Sequence, residues 1–479
     1  MNRNTKRDGF ILVMVLVVVL LASMVAASLL FVLHAERAAA AAGSSSEQTW
    51  ATAMSGVYHA MRVAASAESG TAGWRDNPAT FRDQLVGDDG ARKWYFSICA
   101  WPETGVDETR FGLSDEASKI NICRATETML EAMPNMTPAL ASSLLSAAGL
   151  NASAPATTTN QDNVAAGSAL PNVAASPFSC LDDLMQVSGF SPRLIYGEYP
   201  NLQGRSDMLP DYGAATTYAD GLASPAGLKE FLTVASYDLN QDNQGAARVN
   251  LNQSDADLSS LNLPQAALTY LNALRTNHQT LAHPAALLEA TNTVKDAQSK
   301  DVKLSSGIGK AELAVLLDRC TTSTLTNLVG LVNLNTASAT VLATLPGLNA
   351  TLADAIVAAR AGLNLDAQKT IAWLYEDGVL NADAFKQVAP YLTTRSYQFN
   401  FLVAAYSVPP GSYRLLEVVV DVAANPPAVL LLRDVSQLGL PSILTAPAEE
   451  TGPASSPISV SHPPESFRKG LILAKKAPS

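Results

Sequence analysis

The sequence predicts an α+β protein: a long N-terminal transmembrane helix packed on an antiparallel sheet, with the sheet split by a large inserted α-helical domain. Three observations carry this reading. An unbroken apolar run extends from Phe10 to Leu33. Strand-forming runs lie on both sides of a long, mostly helical middle. Inside that middle a helix-hairpin-helix pattern repeats.

The apolar run holds about 24 residues, and a helix of that length, rising about 1.5 Å per residue, spans roughly 36 Å. It can cross a bilayer. Arg3, Lys6 and Arg7 precede it, and Glu36 and Arg37 follow. The positive-inside bias therefore keeps the leader cytoplasmic and exports everything after His34. A secretory signal places its small-residue cleavage site after the apolar core. Here the candidate bond, Gly9-Phe10, comes before the core, so cleavage would retain it. An uncleaved signal anchor is the alternative. Beyond the run, the alanine-rich segment from Ala35 to about Ala65 continues the helix. Trp50, Met54, Val57 and Met61 recur there at three- and four-residue steps, an amphipathic stripe that needs a partner surface.

From about Trp74 to Asn121 the pattern turns to short strands, with Trp94 to Trp101 strongly strand-forming. Phe401 to Ala405, Tyr413 to Val422 and, after the Asn425-Pro-Pro turn, Ala428 to Leu432 supply further strands. Gly149 to Pro177 and much of Asp211 to Pro225 read as loops or linkers. The Pro- and Ser-rich tail after Ala446 reads as disordered. The resulting division is a leader (1–9), a membrane helix (10–33), its amphipathic extension (34–70), the first part of the sheet (71–120), the insert (121–392), the second part of the sheet (393–440) and the tail (441–479).

The strongest internal signal is the repeat, at about 119–148 and 331–362. Lys119-Ile-Asn121 through Pro134-Asn135 to Leu140 aligns without a gap on Val332-Asn333 through Pro346-Gly347 to Leu352. In the second copy Val341, Leu342 and Leu345 line one short helix, Pro346-Gly347 breaks it, and Leu352 and Ile356 line the next. Gly347 suits the positive φ of such a turn, and Asn135 is the residue most able to replace glycine there. A partial third version, about 178–198, has Gly189 between two apolar clusters.

Composition narrows the function. A net charge of −11 has the wrong sign for a nucleic-acid binder. Helix-hairpin-helix motifs often hold DNA phosphates, but Val332 to Arg360 carries only Asp354 and Arg360 as charges. Cys99, Cys123, Cys180 and Cys320 form no CxxC pair, which argues against zinc, and an exported chain could join them in any of three pairings. The five histidines are scattered, and there is no HExxH, GxSxG or P-loop pattern, so the sequence points to no catalytic residues and to a non-enzyme. The loop Asp238-Leu-Asn240-Gln-Asp242-Asn-Gln-Gly245 places oxygen ligands at alternate positions, as calcium loops do. Val249 stands where an EF-hand would need its closing glutamate, and a plain Asx-rich turn is the other reading. Asp115 and Glu116 read as a solvated turn, with a metal role the alternative.

The leader, the repeats and the flanking strands together resemble the minor pseudopilin K family of type II secretion systems, over roughly Gly9 to Leu440. The resemblance rests on Gly9-Phe10 with Met14, Asp115-Glu-Ala-Ser-Lys-Ile-Asn121, Phe178-Ser-Cys-Leu-Asp-Asp-Leu with Gly189, Phe231-Leu-Thr-Val-Ala-Ser236 and Val332-Asn-Leu-Asn-Thr-Ala337. It implies a pilin-like helix and sheet carrying an α-domain with SAM-like helix-hairpin-helix repeats. It also implies cleavage by prepilin peptidase between Gly9 and Phe10, residence in the inner membrane with the bulk of the chain periplasmic, and a place at the pseudopilus tip. The implied partners are minor pseudopilins I and J, the major pseudopilin and secreted cargo, and calcium is bound by some members. Filament subunits of this kind carry glutamate at the fifth mature position, paired with the terminal amine of an earlier subunit. Here that position is Met14, as suits a first subunit with no amine to neutralise, since an unpaired buried carboxylate costs on the order of several kcal/mol. Departures from the family are Cys123-Arg124 for Asn-Thr, Asn135 for the hairpin glycine, and a second Val249-Asn-Leu-Asn252 element that lengthens the middle. A membrane-anchored DNA receptor is the alternative function.

Overall fold

The computed structural model describes residues 8–66, 72–101, 110–150, 177–197, 226–295, 301–409 and 411–440. The leader residues 1–7, the tail 441–479 and most of both linker readings lie outside the described residues.

Helix α1 runs without interruption from Asp8 to Ala65, joining the membrane-length run to its extension. It is long and apolar enough to cross a membrane, and its apolar N-terminal portion is not buried by the rest of the chain. The C-terminal portion behaves differently. Ala53, Val57, Ala60, Met61 and Ala64, at three- and four-residue steps, are buried against the sheet. Trp50 and Met54 of the expected stripe sit at its margin, Trp50 beneath Arg414, whose guanidinium carbon lies 5.3 Å from the ring centroid. Small residues bring the two layers close: a Cβ added at Gly56 would lie 2.7 Å from Val403 Cγ1.

The sheet is built from β1 (Gln84–Asp88), β2 (Lys93–Cys99), β3 (Ser114–Asp115), β4 (Gln398–Val408), β5 (Tyr413–Asp421) and β6 (Ala428–Asp434). It has six strands in the order β1-β2-β4-β5-β6, with β3 also paired to β4, and every pairing is antiparallel. β4 is central and nearly continuous in burial. It joins to β2 with Val403 opposite Ile98 and to β5 with Val403 opposite Leu416. The four strand runs expected from sequence all form; β4 and β6 run beyond the expected ends, while β2 stops at Cys99 and β5 at Asp421.

Between β3 and β4 the chain makes not two but three copies of one unit. Each opens and closes with a two-residue parallel pair: Ile120–Asn121 with Leu232–Thr233, Val249–Asn250 with Cys320–Thr321, and Val332–Asn333 with Leu392–Thr393. In each opening pair the asparagine Oδ1 accepts the amide two residues on: Cys123 at 2.9 Å, Asn252 at 3.0 Å and Asn335 at 2.9 Å. In each closing pair the threonine Oγ1 accepts the amide two residues on, from Ala235, Ser323 and Arg395. The stretch read as an enlargement after Val249-Asn-Leu-Asn252 is thus the second unit. Its second hairpin is opened by a β-hairpin, Thr291–Lys295 with Asp301–Ser305, so the insert is not wholly helical. The partial repeat at 178–198 is the second hairpin of the first unit, Leu181–Gln186 and Pro192–Tyr196. The first and third units share one apolar core, around Leu130, Leu144, Leu342 and Trp373, to which the second adds Ala285, Leu288 and Leu313; the second also has a core of its own, around Leu271 and Leu316.

Candidate functional site: the hairpins and their junction with the sheet

The hairpin turns form where the sequence places them. Gly347 takes φ +81°, Gly189 φ +91° and Asn135 φ +62°, the left-handed conformation that ends one helix and aims the next. Pro134 and Pro346 each precede the left-handed residue. Asn262, at φ +49°, does the same work in the second unit. The helices that follow are capped by side chains, Thr137 Oγ1 accepting from the Leu140 amide at 3.3 Å and Asn349 Oδ1 from the Leu352 amide at 2.9 Å.

What matters for chemistry is what covers these turns. A Cβ at Gly347 would stand 2.9 Å from Gln387 Cβ and 3.2 Å from the Ala384 carbonyl, so the turn abuts the helix Ala382–Val388 of the same unit. A Cβ at Gly189 would stand 2.7 Å from Leu140 Cδ2. Asn135 Nδ2 donates to the Ala226 carbonyl at 3.0 Å. On the side a Cβ would occupy, each of these turns packs against its own unit, while Gly189 and the helix starts at Thr137 and Asn349 are exposed. Two cations of this unit already have partners: Arg360 Nη1 donates to the carbonyls of Leu334 and Ala337, and Lys369 forms an exposed pair with Asp366 at 2.7 Å.

Asp115 and Glu116 are not a solvated turn. They are 3% and 5% exposed and tie the sheet to the units. Asp115, in β3, accepts from Asn333 Nδ2 at 3.0 Å, from the hydroxyls of Thr336 and Ser396, and from the Ala117 amide at 2.8 Å. Asn333 belongs to the opening pair of the third unit. Glu116 accepts from Lys119 Nζ at 2.8 Å, from Thr233 of the first unit's closing pair and from Asn400 of β4. Asn121 Nδ2 reaches the Ser236 carbonyl at 3.1 Å. A second buried knot joins Lys229 to Glu417, with Lys229 Nζ 3.4 Å from the Trp101 ring centroid, and Glu417 to Arg433. Buried charges need such partners, since removing one member of a buried pair costs about 3–5 kcal/mol. The Asp115-to-Asn121 run, singled out as a motif, is therefore a peg between three parts of the fold.

The calcium reading meets different commitments. Asp238 is buried, with Oδ1 2.8 Å from Arg395 Nη2 and Oδ2 accepting from the Thr393 hydroxyl at 2.6 Å. Asn240 Nδ2 donates to the Leu325 carbonyl, and Asp242 Oδ1 accepts the amides of Gln244 and Ala246. These are the contacts of an ion pair and an Asx turn, and among the described residues no group of three His, Cys, Asp or Glu side chains is gathered to hold a metal. The structure contains no disulfide among its described residues; Cys99, Cys123 and Cys320 are buried. At the other end of the chain, Gly9 and Phe10 lie within the first turn of α1, and Met14 is 62% exposed on its apolar surface.

A helix-hairpin-helix motif profile matches residues 329–393, which is the third unit from just before its opening pair to the end of its closing pair. No curated protein matches the chain.

Proposed function

We propose that the chain is a minor pseudopilin at the tip of a type II secretion pseudopilus, where it helps initiate assembly and secretion across the outer membrane. The supporting observation is α1: one unbroken helix of 58 residues whose apolar half is left uncovered while its other half lies on an antiparallel sheet. A subunit that leaves a membrane to join a helical filament core needs such a helix, and needs it firmly attached to a globular head. Met14 agrees with a tip position, because no carboxylate is left without an amine. In this reading the chain is single-pass in the bacterial inner membrane, with the head periplasmic and minor pseudopilins I and J as its first partners. The matched helix-hairpin-helix motif favours a DNA receptor instead. Its acidic surroundings, with Arg360, Lys369 and Lys386 against Asp354, Asp366, Glu376, Asp377 and Asp383, weigh against that use.

The test is co-purification of the detergent-solubilised chain with minor pseudopilins I and J. A stable complex of the three is expected. Absence of a complex, with salt-sensitive binding to duplex DNA in its place, would turn the assignment to the receptor.

A further inference from the structure

Arg124, the departure that replaces the usual threonine, points to a site. It is only 7% exposed, and its Nη groups donate to the carbonyls of Val329 and Pro390 while its Nε is buried without an acceptor. Among the described residues no carboxylate pairs with it, and its guanidinium carbon lies 5.4 Å from the Tyr391 ring centroid. Arg248, beside the opening pair of the second unit, donates Nε to the Asp318 carbonyl at 2.9 Å, and its Nη groups meet no acceptor among the described residues. Both arginines line one cavity of about 100 Å³, together with His283, Asp318 and Lys369.

His283 Nδ1 accepts the Ala285 amide at 3.2 Å, which puts the ring hydrogen on Nε2 and makes that atom a donor. Burial first, and then the charges of Arg124 and Arg248, push its imidazole down to about 3, so it stays neutral. The wall carries three cations, Arg124, Arg248 and Lys369, against two carboxylates, Asp238 and Asp318, and Asp238 is also held by Arg395 at 2.8 Å. A water needs roughly 10–15 Å³ of such space, so the cavity holds several waters or one tetrahedral oxyanion.

We infer that this cavity binds a small inorganic oxyanion of sulfate or phosphate size, held by Arg124, Arg248 and His283 Nε2–H where the three repeat units meet. Guanidinium groups suit this ligand because their planar donors match two oxygens at once. The bound anion neutralises the arginines and clamps Arg124 of the first unit to Arg248 and His283 of the second. This holds whether or not the chain is a pseudopilin.

The test is thermal unfolding of the full chain in detergent against added sulfate or phosphate, with ionic strength held constant by sodium chloride. A saturable rise in melting temperature is expected, as for any ligand that binds only the folded state. It is expected to be lost in Arg248→Gln and kept in Lys93→Gln, a control at the exposed start of β2. No saturable rise, or an equal rise in Arg248→Gln, would overturn the inference. Should Arg248→Gln fail to fold, the phosphorus NMR line of phosphate gives a second reading on the unaltered chain: broadening reversed by sulfate supports the site, and an unbroadened line contradicts it.

Discussion

Asp115 and Glu116 are neighbours in sequence, equally buried, and titrate in opposite directions. Burial, the largest influence on Asp115, outweighs hydrogen bonds from Ser396, Thr336, Ala117 and Asn333 and raises its carboxyl from 3.8 to about 6. For Glu116 burial is again the largest single influence and acts upward. The charge of Lys119 and hydrogen bonds from Lys119, Thr233 and Asn400 outweigh it and hold the carboxyl below its ordinary 4.5. The folded state thus binds the Asp115 proton more tightly than the unfolded chain does. Its contribution to stability is fully present below pH 3.8 and is lost as pH rises through about 6. Glu116 contributes stability above pH 4.5 that is lost as pH falls through its folded value. Urea unfolding across this range is expected to show the Asp115 component in the wild type and to lack it in Asp115→Asn. That variant also sets an amide against Asn333 Nδ2 and should lose about 1–3 kcal/mol, the cost of an unsatisfied buried group. An unchanged pH profile in Asp115→Asn would contradict this. The burial of the pair was not legible in sequence: two adjacent acids beside a serine and a lysine read as surface, and only the return of residues 333, 336, 396 and 400 encloses them.

At the scale of elements, close packing makes two further predictions. Gly56→Leu forces bulk into the 2.7 Å gap to Val403, and thermal unfolding should register a loss of about 1–3 kcal/mol. Gly347→Ala puts a side chain at φ +81° and against Gln387, costing roughly 1–2 kcal/mol from the left-handed conformation alone. Asn135 shows that the same position in the first unit tolerates a non-glycine residue, as the gap-free alignment implied. Long strands and the hairpin turns were legible because branched, aromatic and glycine residues mark them strongly. The helix face on the sheet was read through Val57 and Met61, with Trp50 and Met54 at its margin, but Ala53, Ala60 and Ala64 beside them were missed because alanines carry little periodic signal. The second unit escaped notice for two physical reasons. Its left-handed residue, Asn262, comes earlier after the opening asparagine than in the other copies, and a β-hairpin separates the halves of its second turn. The closing signature, Leu232-Thr-Val-Ala-Ser-Tyr237 against Leu392-Thr-Thr-Arg-Ser-Tyr397, with Cys320-Thr-Thr-Ser as the third form, could have found it.

The whole molecule is a membrane-length helix fixed to a sheet, with the first and third of its three hairpin units joined to that sheet through a buried polar peg. The unit that carries the matched motif has fewer cations than carboxylates. Duplex DNA at physiological salt is accordingly expected to show no binding above that of an acidic control protein in a fluorescence-anisotropy titration. Tight, salt-dependent binding would contradict this. In the proposed function the exposed helix inserts into a membrane and then into a filament, and that use depends on processing at Gly9-Phe10. The most direct measurement is the N-terminal mass of the chain co-expressed with a prepilin peptidase, beside a Gly9→Ala control. Loss of Met1 to Gly9, blocked in the control, is the predicted result; an intact leader in the unaltered chain would contradict the pseudopilin assignment.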